Sequence, residues 1–377
     1  MPTADLAVIY GTRPEVIKLA PVIRSLRQAH EPSVLTISTH QHTSLLTESL
    51  SASHVSTDIE TPRPDTTTMQ SLLSTIGANL QALELDSRAV VVQGDTATAY
   101  AGALFGFLNG MQVIHVEAGL RTSTVRNPFP EEGLRRLITR LTDLHLAPTV
   151  RARKNLEREG VASTSIVVTG NTSIDGLMTQ LHAQPTADAS VTEDLGDYCV
   201  VTLHRRESWG EPMDRIALAL KELALAFPRT TFMCPLHPNP TVRRSFDSLT
   251  TISNVKILDP LAHDDFVRLL RDSSLIITDS GGIQEESTVL GVPTLVARDE
   301  TERPEAVEAG VAHLVGTDVE RIVRVGSDLL RSSIPPEDLS SAATVFGDGQ
   351  AGVRSARAIR AFLSDVPLPS DMEELDP

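Results

Sequence analysis

Residues 279–282, with the sequence Asp-Ser-Gly-Gly, have the composition of an anion-binding loop. They follow the apolar run 275–277, which is typical of a buried parallel strand, and the residues after them can begin a helix. Adjacent glycines let the backbone approach a ligand, and a helix start leaves free N–H groups that attract phosphate. Glu285 and Glu286 repel phosphate but suit a ligand that also has hydroxyls. The segment therefore predicts a nucleotide site that holds a diphosphate and a ribose.

Carboxylates follow two further apolar runs. Asp95 comes after the run 89–93, and Glu117 comes directly after 113–116. Acids at adjacent strand ends can face one cleft, and their repulsion raises one pKa, which is the arrangement that proton transfer needs. For Asp95, an N-cap on the next helix is the alternative. Glu131 and Glu132 occupy the first turn of another predicted helix, where an exposed acid that complements the helix dipole fits Glu132.

Basic residues occur at similar junctions. Arg13 follows the first apolar run and Lys18 lies one turn further, so both could pair with phosphate, although Lys18 suits a solvated basic face equally. The glycine pattern there is neither GxGxxG nor a P-loop, so it does not indicate dinucleotide or ATP binding. Arg303, just before Pro304, could bind phosphate at a helix start, with surface ion pairs as the alternative.

Two histidines and one aromatic residue complete the candidates. His204 lies at a strand end beside Arg205 and could act as acid, base or phosphate donor, or be structural. His237 follows the next strand in the same way. Phe266 lies in a predicted helix at 264–270, where core packing is the default interpretation.

The elements that would position these residues alternate along the chain. Strands are predicted at 6–10, 34–38, 89–93 and 113–116, with helices at 14–28, 69–85 and 96–108 between them. After a small, polar linker at 183–190, strands resume at 198–202, 231–234, 255–258, 275–278 and 294–296. This rhythm predicts an α/β fold with two Rossmann-like, doubly wound domains facing a cleft. We expect domains at 1–183 and 191–355, followed by a C-terminal helix and acidic tail at 356–377.

The amino-acid composition excludes several classes of binding partner. The net charge of −16 argues against nucleic acid or an anionic membrane, and no apolar run is long enough to span a bilayer. The N-terminus lacks the regions of a signal peptide, so we expect a cytoplasmic protein. Cys199 and Cys234 do not form a CxxC pair, which predicts buried structural thiols and no metal site.

Taken together, these residues resemble the UDP-N-acetylglucosamine 2-epimerase family, of the non-hydrolysing bacterial type. The matching segments are GTRPEVIKLAPVI at 11–23, QGDTATA at 93–99, HVEAGLRT at 115–122, PFPEEGLRRL at 128–137, VTGNTSID at 168–175, HRRES at 204–208, SGGIQEE at 280–286 and TERPEAVEAG at 301–310. The resemblance implies a GT-B-like fold, a homodimer, and interconversion of UDP-GlcNAc and UDP-ManNAc without a metal or nicotinamide cofactor. The implied route is elimination of UDP to 2-acetamidoglucal followed by re-addition.

The resemblance also implies residue roles. Asp95 and Glu117 would transfer protons at C2, while Glu131 and His204 would assist departure of UDP. The diphosphate region would be held by Arg13, Lys18, Ser280, Gly281, Gly282 and Arg303. Glu286 would accept the ribose hydroxyls, and Phe266 would pack against uracil.

The match departs from the family at 60–69, where ETPRPDTTTM replaces a Gly-Gln-containing loop. In bacterial members that loop helps to bind a second, activating UDP-GlcNAc, together with the residues that correspond here to Gln41, His42, Arg205 and His237. Four alternatives stay open: a hydrolysing relative that releases UDP and ManNAc, an epimerase for another acylated UDP-sugar, a GT-B glycosyltransferase, and a UDP-sugar sensor. The acids at 95, 117 and 131 count against the last two.

Overall fold

The computed structural model describes residues 2–29, 31–41, 50, 53–66, 68–182, 196–203, 205, 208–236, 239–332, 339 and 342–368. The chain divides into two compact units: residues 1–176 with 346–377, and residues 177–345. Each unit contains one parallel β-sheet with helices between its strands, which confirms the predicted α/β fold class. The predicted linker at 183–190 and residues 369–377 of the predicted tail lie outside the described residues.

Unit 1 contains a sheet of order β3-β2-β1-β4-β5-β6-β7. Its described elements are β1 (Thr3–Tyr10), α1 (Arg13–Gln28), β2 (Val34–Ser38), β3 (Ile59–Glu60), α2 (Met69–Gln81), β4 (Asp86–Gln93), α3 (Ala97–Leu108), β5 (Gln112–Val116), α4 (Glu131–Leu141), β6 (Leu144–Ala147), α5 (Val150–Arg158), a 3₁₀ turn (Ser163–Ser165), β7 (Ile166–Val168) and α6 (Thr172–His182), in which the unit boundary falls.

Unit 2 contains a sheet of order β10-β9-β8-β11-β12-β13. Its described elements are β8 (Tyr198–Thr202), α7 (Glu211–Ala226), β9 (Thr231–Pro235), α8 (Pro240–Phe246), a 3₁₀ turn (Asp247–Leu249), β10 (Val255–Leu258), α9 (His263–Arg271), β11 (Leu275–Thr278), α10 (Gly281–Leu290), β12 (Thr294–Val296), α11 (Pro304–Glu308), β13 (Ala312–Leu314) and α12 (Val319–Ser332). The chain then returns to unit 1 and forms α13 (Ala351–Leu363).

Both faces of each sheet are covered because the central strands are apolar on both sides. In β1, Leu6 and Val8 pack into one core cluster, whereas Ala7 and Ile9 pack into the cluster on the opposite face. Such a strand is buried on both faces and therefore has no alternating polar pattern, as expected for a parallel sheet. The cysteines Cys199 and Cys234 are free and buried in unit 2, in agreement with the structural role predicted for them.

Each sheet has one switch point at which the strand order reverses. In unit 1 it lies between β1 and β4, and in unit 2 between β8 and β11. Ligands of open α/β sheets bind outside the carboxyl ends of the strands at such points. The loop with Arg13 follows β1 and Asp95 follows β4, while Arg205 and residues 279–282 follow β8 and β11. These residues thus lie at the carboxyl ends of the strands that border the two switch points.

The C-terminal helix belongs to unit 1. Residues 346–355, which the sequence analysis assigned to the second domain, group with unit 1 together with the rest of α13. The physical reason is that α13 contributes Ala356 and Ile359 to the core cluster that α1 also forms. In addition, Asp175 accepts hydrogen bonds from the backbone N–H of Gly352 (2.6 Å) and Ala351 (3.1 Å) at the start of the helix.

Candidate active site

Glu117 directly follows β5 and is held by three side chains of unit 1. Its Oε1 accepts from the Lys18 ammonium at 2.5 Å and from the Asn171 amide at 3.0 Å, and its Oε2 accepts from the Gln93 amide. The residue is buried and has φ of 64°, a left-handed conformation that costs about 1–3 kcal/mol outside glycine. The site therefore contains an acid that three side chains fix in a strained backbone position.

Asp95 follows β4 at the neighbouring strand end. Its Oδ2 lies 2.6 Å from Nη2 of Arg135, a residue of α4 that the sequence analysis did not identify. The N-cap of α3 is Thr96, whose hydroxyl accepts from the N–H of Ala99 at 2.9 Å. The alternative role of Asp95 as an N-cap is therefore wrong, and its carboxylate is available for other contacts.

Glu132 differs from the exposed helix-start acid that the sequence indicated. Its side chain is 0% exposed, and it accepts from Arg135 (3.1 Å), from Arg136 (2.8 Å) and from the backbone N–H of Thr122 (3.2 Å). A buried carboxylate needs such partners because desolvation otherwise disfavours its charge. The interpretation as a solvated dipole contact is wrong for Glu132.

Glu15 joins the loops after β1 and β4, and the sequence analysis missed it. Its Oε2 accepts from the backbone N–H of Gly11 (3.0 Å) and Thr12 (2.8 Å), and its Oε1 accepts from the Thr96 hydroxyl (2.6 Å). The side chain is 0% exposed, and burial raises the pKa of Glu15 to about 7. The Thr-x-x-Glu spacing at 12–15 is that of a capping box and could have identified it.

His115 fixes the turn that carries Asp95. Its Nε2 lies 2.8 Å from the carbonyl oxygen of Gly94, and since a carbonyl only accepts, Nε2 carries the proton. Burial lowers the pKa of His115 to about 4, so the ring is neutral near pH 7. The backbone N–H of Gly94 bonds to the carbonyl of Val116 at 3.1 Å, so β5 holds this turn from both sides.

Arg13 and Glu131 are two further candidates of unit 1 that the structure describes. Arg13 is the first residue of α1 and is half-buried, and its guanidinium makes no hydrogen bond or ion pair with another described residue. Its cation is thus available to an anionic ligand. Glu131 is the first residue of α4 and is half-buried, one position before Glu132.

In unit 2, Asp279 ties the end of β11 to the chain that follows β8. Its fully buried Oδ2 accepts from the backbone N–H of Arg205 (3.1 Å) and from the Ser208 hydroxyl (2.9 Å). Ser280 is the N-cap residue of α10, and its side chain makes no capping bond. Gly281 and Gly282 open the helix, as predicted, so the first N–H groups of α10 meet the switch point.

Arg303 crosses the start of α10 as part of a buried ion-pair cluster. Its Nε donates to Glu285 Oε1 (2.5 Å) and its Nη1 to Glu302 Oε1 (2.6 Å). A Cβ on Gly281 would lie 2.4 Å from Nη1, so only glycine leaves room for the guanidinium there. The interpretation of this region as surface ion pairs is wrong, because these side chains are buried. Glu285, which the sequence suggested as a partner of ligand hydroxyls, is instead an ion-pair partner of Arg303.

Some of the remaining predicted site residues lie within the described ranges, and three lie outside them. Glu286 lies half-buried in the second turn of α10, and Phe266 in α9 packs against the core cluster of Val267 and Leu270, so its contact with a base stays a prediction. Gln41 uses its Oε1 to accept from the backbone N–H and the hydroxyl of Thr98 (3.1 and 2.9 Å). His42, His204 and His237 lie outside the described residues.

Within the described part of the chain, no helix combines the length and apolarity needed to cross a bilayer. The same residues include no group of three or more His, Cys, Asp or Glu side chains placed to hold a metal ion.

Known proteins match this chain along almost its whole length. The family model described as UDP-N-acetylglucosamine 2-epimerase matches residues 24–360. A Bacillus subtilis protein named UDP-N-acetylglucosamine 2-epimerase is 39% identical and covers 94% of this chain and 94% of its own. The structure of the Neisseria meningitidis UDP-GlcNAc 2-epimerase bound to UDP-GlcNAc has a TM-score of 0.85 at 36% identity, over 97% of this chain and 100% of that one. The Methanocaldococcus jannaschii UDP-GlcNAc 2-epimerase, solved with UDP-GlcNAc and UDP, has a TM-score of 0.81 at 30% identity, over 96% and 100%.

Proposed function

Because this chain belongs to the UDP-N-acetylglucosamine 2-epimerase family, we propose that it interconverts UDP-GlcNAc and UDP-ManNAc by eliminating UDP and adding it back. The observation that carries the proposal is the pair Asp95 and Glu117, which follow the adjacent strands β4 and β5 and each contact a cation. Inversion at C2 requires proton transfer on two faces of the sugar, and two separately held carboxylates supply two proton carriers.

In the first step one carboxylate removes the C2 proton. The C2–H electrons form the C1=C2 double bond, and the C1–O bond breaks with its electrons leaving on UDP. In the second step the other carboxyl group donates a proton to C2 of 2-acetamidoglucal from the opposite face, and UDP adds to C1. Atoms and electrons balance without net oxidation, so the step needs no nicotinamide.

The other residues hold the substrate in this proposal. In unit 2 the N–H groups at the start of α10 and the Arg303 guanidinium bind the diphosphate, and Glu286 accepts the ribose hydroxyls. Arg13 of unit 1 is a further candidate ligand of substrate phosphate. Lys18 lies near the diphosphate, and Phe266 packs against uracil. Glu131 and His204 assist the departure of UDP. The direct contact of Lys18 with Glu117 supports a place next to the reacting carbon.

Product analysis tests the proposal against the hydrolysing alternative. The protein is incubated with UDP-GlcNAc, and nucleotides and free sugars are separated by anion-exchange chromatography. We expect an equilibrium mixture of UDP-GlcNAc and UDP-ManNAc, because UDP returns to C1. Free ManNAc with an equal amount of UDP would contradict the proposal and favour hydrolysis.

A second test separates an enzyme from a UDP-sugar sensor. Asp95→Asn and Glu117→Gln remove one proton carrier each while keeping the size of the side chain. Both variants should bind UDP with the affinity of the unmodified protein in a calorimetric titration, yet lose turnover. Retained turnover in either variant would exclude that carboxylate from the chemistry.

A further inference from the structure

Asp95 is the exposed end of a chain of buried polar contacts. The Asp95 side chain is 24% exposed, whereas its partner Arg135 is 7% exposed and the next member, Glu132, is 0% exposed. The backbone N–H of Thr122 completes the series through its bond to Glu132 Oε2. Exposure thus decreases from the carboxylate that can meet a substrate to the groups behind it.

A contact within α4 holds the Arg135 side chain independently of its contact with Asp95. Its Nη1 bonds to Glu132 Oε2 one turn earlier in α4, and its Nη2 lies 2.6 Å from Asp95 Oδ2. The guanidinium is planar, so anchoring one nitrogen restricts the direction of the other. Glu132 Oε2 also accepts from the backbone N–H of Thr122 at 3.2 Å, which holds the same oxygen that binds Arg135. The position of Asp95 Oδ2 is therefore set from α4, although Asp95 belongs to the loop after β4.

The two oxygens of Asp95 have different environments. Oδ2 contacts Arg135, while Oδ1 makes no hydrogen bond to another residue of the described ranges. A guanidinium does not give up its proton near neutral pH, so Arg135 does not compete as a proton donor. An oxygen that is orientated but unoccupied is the arrangement that a proton acceptor needs.

We propose that Arg135, held by Glu132, is a positioning residue that presents Asp95 Oδ1 to the C2 proton of the sugar. This inference rests on the proposed function, since it gives Asp95 a proton to transfer. It adds two residues of α4 that act through Asp95 and do not touch the reacting atoms.

The test compares two neighbouring arginines that share Glu132. Arg135→Met removes the contact with Asp95, whereas Arg136→Met, the matched control, removes an equivalent contact with Glu132 but none with Asp95. We expect Arg135→Met to lower kcat by roughly 100-fold, the effect of a misplaced catalytic group, with UDP affinity within about twofold. Arg136→Met should stay within about threefold of the unmodified kcat. Arg135→Lys should recover part of the loss because the charge remains, and it carries the test if Arg135→Met does not fold.

A double variant shows whether the effect passes through Asp95. In the Asp95→Asn background, Arg135→Met should cause no further loss of residual turnover, because the group that it positions no longer transfers protons. Equal losses for Arg135→Met and Arg136→Met, or additive losses in the double variant, would overturn the inference. If Asp95→Asn alone turned over normally, the proposed role of Asp95 would fail first.

Discussion

At the scale of single residues, the candidate site is defined by how each acid is partnered. Glu117 has a lysine, and Asp95 has an arginine that cannot exchange its proton near neutral pH. Glu15 has only neutral donors, two backbone N–H groups and a hydroxyl. Three acids in one unit thus have three different electrostatic environments, which is how a fold assigns different roles to the same chemical group.

Asn171 gives the first prediction. Its Nδ2 donates to Glu117, and its Oδ1 accepts from the N–H of Ser173 at 3.0 Å. Asn171→Asp keeps the acceptor but replaces the donor with a second carboxylate beside Glu117. We expect kcat to fall roughly 10- to 100-fold, the value of a hydrogen bond to a charged group, while UDP affinity is retained.

Asn109→Asp is the matched control, because the Asn109 amide donates to a backbone carbonyl at the exposed end of α3. Steady-state kinetics of the two variants, with a melting temperature for each, make the comparison. The prediction is wrong if both variants lose activity equally.

Glu15 gives a prediction about pH and stability. Burial raises its pKa from 4.5 to about 7, so the folded protein binds the proton more tightly than the unfolded chain does. Its contribution to stability is fully present below the unfolded pKa and is lost as the pH rises through about 7. The loss is on the order of 3 kcal/mol. Glu15→Gln cannot titrate, so its free energy of unfolding should fall less than that of the unmodified protein.

Urea titrations at about pH 5 and about pH 8 measure this difference. The buried His115, whose lowered pKa acts in the opposite sense at acid pH, is common to both proteins and cancels. Parallel pH dependences in the two proteins would show that Glu15 does not titrate in this range.

At the scale of elements, the start of α10 is shaped by the arginine that crosses it. A Cβ on Gly281 would lie 2.4 Å from Arg303 Nη1 and 2.8 Å from its Cζ. On Gly282 the nearest heavy atoms would be 3.9 and 4.0 Å away, on Glu286 and Ser280. Two adjacent glycines therefore have different functions: the first admits the guanidinium, and the second leaves space open at the helix start.

Alanine substitutions at the two positions test this difference. Gly281→Ala should destabilise the protein by about 1–3 kcal/mol, because the buried Arg303 must move away from Glu285 and Glu302. Gly282→Ala should stabilise it by about 0.4–1 kcal/mol, since the helix tolerates the methyl group and the unfolded chain loses freedom. Thermal unfolding of both variants is the measurement, and a lower melting temperature for Gly282→Ala than for Gly281→Ala would contradict the account.

The elements that the sequence predicts are those with a strong local pattern. The apolar strands β1, β4, β8 and β11 lie close to their predicted positions, and so do the helices α1 and α3, which follow the first two. The sequence does not predict the strands β3, β6, β7 and β13, which have two to four residues each. Runs this short carry little periodic signal, although β10, β11 and β12, of three or four residues, were predicted. The order of the strands in each sheet also depends on tertiary packing, whereas the βαβ rhythm predicts only that the strands are parallel.

The sequence predicts where the acids of the candidate site lie, but not which side chains contact them. Asp95 and Glu117 follow recognisable strands, so their positions at strand ends can be predicted from the chain alone. Lys18 is 99 residues from Glu117, and Asn171 is 54 residues from it. Contacts over such distances depend on how the whole sheet assembles, and no local spacing encodes them. The two roles that the sequence suggests for Lys18, a phosphate ligand or part of a solvated basic face, therefore do not include its contact with Glu117.

At the scale of the whole molecule, the same strand order occurs twice with different chemistry. Each sheet reverses its order once, and each reversal gathers polar residues at the carboxyl ends of two strands. Unit 1 supplies the acids with their cations, and unit 2 supplies a helix start with an arginine. A net charge of −16 is compatible with an anionic ligand, because Arg13 of unit 1 and Arg303 of unit 2 place cations after the carboxyl ends of β1 and β12.

The most direct test of the proposed chemistry is the fate of the C2 hydrogen. The protein is incubated with UDP-GlcNAc in D₂O, and the sugar protons are followed by NMR. If one carboxylate removes the C2 proton and another returns one from solvent, UDP-ManNAc forms with deuterium at C2. Formation of UDP-ManNAc that keeps its original C2 hydrogen, or absence of any turnover, would contradict the account.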